Sequence, residues 1–174
     1  MKYELKEPFT KDKLATLKAG DSVLLTGTIY AARDAAHEKL VQMIERGEEL
    51  PIDFRDQIIF YAGPTPARPG YPIGSVGPTT SYKMDPFTPA LLERGLSGMI
   101  GKGPRSDAVK ACARKAGAVY FAAIGGTAAL MAQSVKSAEA VAFAEMGDNA
   151  VLRLQVEAMP LIVAGDASGG DIYA

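Results

Sequence analysis

"SVLLTGTIYAARDAAHEKLVQMIERGE" (Ser22 to Glu48) changes period halfway through. Ser22 to Tyr30 is β-branched and apolar, which predicts a buried strand. After it, Leu40, Val41 and Ile44 fall at helical spacing and Gly47 stands in the stop position, which predicts an amphipathic helix. A strand running directly into a helix is the unit of an α/β fold, and the pattern repeats on the C-terminal side. "QIIFYAG" (57–63), "LSGMIGKG" (96–103) and "AVYFAAIGG" (118–126) read as strands. "DPFTPALLERG" (85–95) and "SDAVKACARKAG" (106–117, capped by Ser106) read as helices. "TKDKLATLKAGD", opened by Thr10 and closed at Gly20, predicts a short helix near the start, and "TAALMAQS" (127–134) one or two helical turns. From Val135 onward, short strand-like runs dominate: "VKSAEAVAFAEM", "AVLRLQVEAM", "PLIVAGD" and a final "GDIYA" behind an "ASGG" turn. The expectation is a single domain over residues 1–174, with a mixed sheet and helices packed on it.

Composition narrows the function classes. The 174 residues suffice for one core, and 48% hydrophobic with 22% charged is the ordinary globular range. A formal net charge of −1 offers no basic field for nucleic acid or a membrane surface. The longest apolar stretch, Gly117 to Met131, is too short to span a bilayer and is broken at Gly125-Gly126. The single cysteine, Cys112, can neither form an internal disulfide nor supply the thiolates of a zinc or iron–sulfur site. These features, with a charged N-terminus lacking an apolar signal core, predict a cytoplasmic protein.

Three polar clusters fall just beyond predicted strand ends, where α/β folds place ligands. In the first, Arg33 and Asp34 open the helix after Tyr30. Arg33 offers a fork that matches a carboxylate, although a surface salt bridge with Asp34 as helix cap would account for the same residues. His37, the only histidine, could act as a general base. Asp34 and Glu38 beside it favour an orienting role, and alone it cannot hold a metal. The second cluster is "GPTTSYKMD" (77–85), where Thr79, Thr80 and Lys83 follow a glycine- and proline-rich stretch. One threonine is explained as a cap; two are not, nor is Lys83 at i+4 from Thr79, on one face of a helix. The third is Lys102 in the glycine-flanked turn "GMIGKGPRSD". It falls short of a P-loop because Gly103 follows the lysine. Three cations and a threonine hydroxyl at three strand–helix junctions suit a small dicarboxylate better than a nucleotide.

"GTIYAARDAAH", "YAGP", "GPTTSYKMD", "GMIGKG" and "AIGGTAAL" occur in an order that resembles the C-terminal domain, or separate β subunit, of class I (iron–sulfur) fumarases and L-tartrate dehydratases. The resemblance runs from about Gly27 to the end, where "VEAMPLIVAGD" stands for the more usual "VEDFP" ending. It implies a swivelling β/β/α domain and a hydro-lyase acting on a C4 dicarboxylic acid, with fumarate and malate the first expectation. It also implies a [4Fe-4S] cluster, held by the other domain or a cluster-bearing α subunit, and a hetero-oligomer such as αβ dimers of dimers. Carried over residue by residue, Arg33 matches the arginine that binds a substrate carboxylate. Thr79 matches the threonine proposed as an acid–base residue, and Lys102 the lysine that reaches the substrate. Lys83 stands where the family usually has arginine, and offers one point charge in place of a fork. Thr80 is left to cap or position Thr79. Two alternatives stay beside this reading: a tartrate dehydratase β subunit, and a non-catalytic module that binds an organic anion. A self-sufficient enzyme working through His37 and Thr79 is disfavoured if the chemistry needs the cluster.

Overall fold

Strand residues of alternating parity face two different cores, and that alternation organises the molecule. The computed structural model describes residues 2–62, 69–70, 80–123 and 128–173. Among them the order is β1 (Lys2–Lys6), α1 (Lys11–Leu14), β2 (Ser22–Ala31), α2 (Asp34–Glu45), β3 (Ile58–Phe60), α3 (Thr88–Glu93), β4 (Gly98–Gly101), α4 (Asp107–Ala116), β5 (Val119–Ala123), α5 (Ala128–Ser134), β6 (Val135–Ala142) and β7 (Val151–Gly165). Short 3-10 turns cover Ser81–Met84 and Ala144–Asn149.

The sheet is mixed, in the order β1-β2-β3-β4-β5-β7-β6, and β2 also pairs with β7. That extra pairing closes β2, β3, β4, β5 and β7 into a five-strand ring. β2 through β5 run parallel within it, and β7 is antiparallel to both β2 and β5. Inside the ring lie Leu25, Ile29, Ile58, Phe60, Ile100, Val119, Phe121, Leu154 and Leu161, all buried. The alternate residues Ile59, Tyr61, Met99, Tyr120 and Ala122 form a second core with Ala36 and Leu40 of α2 and Leu91 and Leu92 of α3. The period-2 alternation of each strand thus serves a core on both faces.

Several expectations are corrected in detail. The N-terminal helix is one turn, although Thr10 caps it by accepting from Lys13 N. "AVLRLQVEAM" and "PLIVAGD" are one strand, β7, whose second edge is shared by β6 and β5. Its interruption is local: Ala158 takes φ +53, the register against β2 shifts between Leu25 and Gly27, and Thr26 Oγ1 accepts from Ala158 N at 2.9 Å. "GDIYA" is not a strand; Asp171 makes only an isolated bridge to Gly165. The helix expected from Asp85 starts at Thr88, because Asp85 is committed to the contacts described next.

Candidate functional site

Parallel pairing puts the carboxyl ends of β2, β3, β4 and β5 at one end of the ring. Ala31 pairs with Phe60, Phe60 with Ile100, and Gly101 with Ala122. Arg33 follows the end of β2 and Lys102 the end of β4, two strand spacings or about 10 Å apart along the sheet. Thr80 forms a parallel bridge with Lys102, and Ser81 N donates to the Lys102 carbonyl at 3.0 Å. Arg33, Lys102 and Thr80 therefore share one end of the sheet. Thr79 lies outside the described residues.

Arg33 occupies the N-cap position of α2 with extended backbone and no capping side chain; Asp34 follows it and accepts from Ala35 N at 3.1 Å. The Arg33 Nε is buried and has no hydrogen-bond partner, and among the described residues Arg33 makes no ion pair. The salt bridge with Asp34 that the sequence offers as an alternative is absent. A buried guanidinium nitrogen without an acceptor is costly, and among the described residues none supplies one to Arg33 Nε.

His37 is fully buried beneath it. Its Nδ1 lies 2.7 Å from the Arg33 carbonyl, and the ring stands edge-on to Tyr61 at 5.4 Å. The carbonyl can only accept, so Nδ1 carries the proton and donates. Burial, reinforced by the charge of Arg105 and opposed by that hydrogen bond, lowers the His37 pKa to about 4. The imidazole is thus neutral near pH 7, with its Nε2 buried and unpartnered.

Lys83 sits in the 3-10 turn Ser81–Met84, closed by Lys83 N donating to the Thr80 carbonyl at 3.3 Å. This geometry replaces the α-helical i, i+4 face expected for Lys83. Thr80 is the N-cap of the turn without a side-chain capping bond. Lys83 and Lys102 are exposed, and neither is in an ion pair among the described residues.

Sequence reasoning passed over the groups that hold these pieces together. Arg105 and Asp85 form a buried ion pair, Nε to Oδ1 at 2.7 Å, and Asp85 Oδ2 accepts from Ser106 N at 2.7 Å. The Tyr120 hydroxyl lies 2.6 Å from Ser81 Oγ and 2.8 Å from the Gly103 carbonyl. With one proton to give, it donates to the carbonyl and accepts from the serine. Gly101 has to be glycine: an added Cβ would overlap Ser81 Oγ and stand 2.9 Å from the Tyr61 ring. The only signal in the sequence was position, since Asp85 ends one quoted stretch just before Pro86 and Arg105 follows Pro104 in the other.

Among the described residues, no group of three or more His, Cys, Asp or Glu could hold a metal ion. Cys112 is a free, half-buried thiol on α4. No helix among them is long and apolar enough to cross a membrane.

The family model described as Fumarase C-terminus matches residues 1–174. Relatives include "Fumarate hydratase class I, anaerobic" of Escherichia coli, 41% identical over 178 aligned residues, covering 99% of this chain and 32% of that protein. "Fumarate hydratase 2" of Leishmania major is 38% identical, covering 100% of this chain and 31% of that protein. "Putative L(+)-tartrate dehydratase subunit beta" of Methanocaldococcus jannaschii is 41% identical, covering 94% of this chain and 87% of that protein. The chain thus spans about a third of the fumarate hydratases it matches and most of the dehydratase β subunit.

Proposed function

Because the chain belongs to the fumarase C-terminal family, we propose that it is the β subunit of an iron–sulfur hydro-lyase that reversibly adds or removes water at a C4 dicarboxylic acid. The observation that carries this reading is the meeting of Arg33, whose buried Nε lacks an acceptor among the described residues, with Lys102 and Thr80 at one end of the sheet. In this reading Arg33 clamps one substrate carboxylate, Lys83 and Lys102 supply further positive charge, and Thr79 moves the proton at the carbon that loses it. A threonine hydroxyl is a weak base unless nearby cations lower its pKa, and the two lysines are suited to that. His37, neutral and bonded to the Arg33 carbonyl, orients the clamp; Asp34 and Thr80 orient the backbone on either side.

The described residues do not fit a [4Fe-4S] cluster, and the whole chain has one cysteine. We therefore assign the cluster to a partner α subunit and no ligand to this chain. The same reading makes the chain one swivelling β/β/α domain, in a cytoplasmic hetero-oligomer of αβ dimers. A tartrate dehydratase is the second reading, favoured by the relative named as such a β subunit, most of whose length this chain covers.

Anaerobic assays of fumarate hydration and tartrate dehydration test the assignment, on the chain alone and co-expressed with a cluster-bearing α subunit. Activity is expected only from the pair, and the ratio of kcat/KM for the two substrates separates the readings. Substantial activity from the cluster-free chain would overturn the subunit assignment. Within the pair, Thr79→Ala is expected to lower kcat about 10²-fold or more with a smaller change in KM, the usual scale for a lost acid–base group. An unchanged kcat would remove Thr79 from the chemistry.

A further inference from the structure

Each nitrogen of the Arg105 side chain has a partner within the protein. Nε donates to Asp85 Oδ1, Nη2 to Thr88 Oγ1 at 2.9 Å and the Tyr61 hydroxyl at 3.1 Å, and Nη1 to Met99 Sδ at 3.6 Å. Its guanidinium also lies 5.1 Å from the Tyr61 ring centre and 5.0 Å from that of Tyr120. One residue thereby touches the segment after β3, the strands β4 and β5, the first turn of α3, and the segment that follows Thr80. One Nη1 N–H is left, too few for the two-bond fork that grips a carboxylate, so Arg105 is not a second carboxylate clamp.

A buried ion pair is a poor device for stability alone, because an apolar pair of similar volume often does as well. What this pair adds is direction. The guanidinium fixes Asp85 in both distance and plane, and the second Asp85 oxygen is tied to the Ser106 backbone at the head of α4. The segment 80–85 and the loop 101–106 are locked at both ends, by the Thr80–Lys102 bridge at one and by Asp85 at the other. Lys83 and Lys102 lie on the two segments so joined.

We propose that Arg105, anchored by Asp85, is a positioning residue that holds the turn bearing Lys83 in register with the loop bearing Lys102. What it positions for rests on the function proposed above; the clamp itself does not. The decisive variant is Asp85→Asn/Arg105→Met, which removes both charges and orphans neither. In complex with the α subunit, it is expected to keep native protection of β3 and β5 amides against hydrogen exchange. The amides of residues 81–85 are expected to exchange about tenfold faster or more, and KM for the dicarboxylate to rise by a similar factor with kcat changing less, because small misplacements of binding groups cost on that scale. A role in stability alone predicts native kinetics once the charges are removed together. Native exchange at 81–85, or faster exchange with native KM, overturns the proposal. If the double variant does not fold, Arg105→Lys takes its place: it keeps the charge, loses the fork, and is expected to give the same split. If the wild-type pair turns over neither fumarate nor tartrate, the functional reading fails. The exchange measurement then decides the clamp by itself, faster exchange at 81–85 upholding it and native exchange overturning it.

Discussion

Arg33 and Arg105 stand beyond β2 and β4, two strands apart at the same end of the sheet, and the chain treats them oppositely. Arg105 has an acceptor for each nitrogen, and although burial works against its charge, Tyr61 and Asp85 together raise its pKa. Arg33 has a buried Nε with no acceptor among the described residues, over a neutral histidine. An arginine with a partner for each nitrogen is structure; one whose Nε meets no acceptor among the described residues is the one proposed above to meet a ligand's. The two regions should therefore fail in different ways.

The largest contrast is between stability and activity. Asp85→Ala leaves the Arg105 charge buried and alone, and should cost about 3–5 kcal/mol of folding stability, read from urea midpoints. Arg33→Met should stay within about 0.5 kcal/mol in the same measurement, because among the described residues its side chain makes no ion pair and its Nε no hydrogen bond. In complex with the proposed α subunit, the same Arg33→Met should lose about 2–4 kcal/mol of transition-state binding, the scale of a charge-assisted bond in a closed site. His37→Gln should lose far less. Equal effects of Arg33→Met and His37→Gln on kcat/KM would make Arg33 an ordinary surface residue.

His37 gives the comparison a pH dependence. Its pKa is about 4 in the folded protein and near 6.5 in the unfolded chain, so the unfolded state binds the proton first as pH falls. Stability from this residue is complete above pH 6.5, declines through the window down to about 4, and is lost below it, a total of roughly 3 kcal/mol. The difference in stability between wild type and His37→Gln should shrink as pH falls from 7 to 4.5. A constant difference would mean the imidazole is not buried neutral.

How much of this was legible is itself divided between the regions. Strand-to-helix alternation and the caps Thr10 and Ser106 could be read directly, because they depend on residues within a few positions. The junction of Arg33 with α2 was legible for the same reason. Ring closure was not: it depends on β7 reaching β2 across more than 100 positions, and Pro160 and the Ala158 irregularity disguise one long strand as two. The Arg105–Asp85 pair was hidden likewise, since a salt bridge 20 residues apart has no period. Lys83 was placed on the wrong kind of turn because 3-10 and α geometry share their first residues.

Two smaller changes sharpen the contrast inside the clamp itself. Gly101→Ala would force a methyl into Ser81 Oγ, and either Ser81 or the strand has to move. About 1–3 kcal/mol of destabilisation is expected, the usual cost of overpacking. Amide exchange at 81–85 should rise with it, because Ser81 is displaced from Tyr120. A tolerated Gly101→Ala with native exchange would show that the turn is not seated on β4 as described.

The smallest expected effect is at Ser106, where two roles meet in one residue. Its backbone N–H donates to Asp85, while its Oγ accepts from Val109 N at 3.2 Å and caps α4. Ser106→Ala removes only the cap, so it should cost about 1 kcal/mol of stability. The Asp85 contact survives because every non-proline residue keeps its N–H. The clamp is therefore expected to hold, with native exchange at 81–85 and native KM in complex with the proposed α subunit. If Ser106→Ala instead raises KM as far as Asp85→Asn/Arg105→Met does, the register of Lys83 and Lys102 depends on how α4 begins. The ion pair would then be one support among several, and the division between a saturated region and a poised one would have to be redrawn around the helix start.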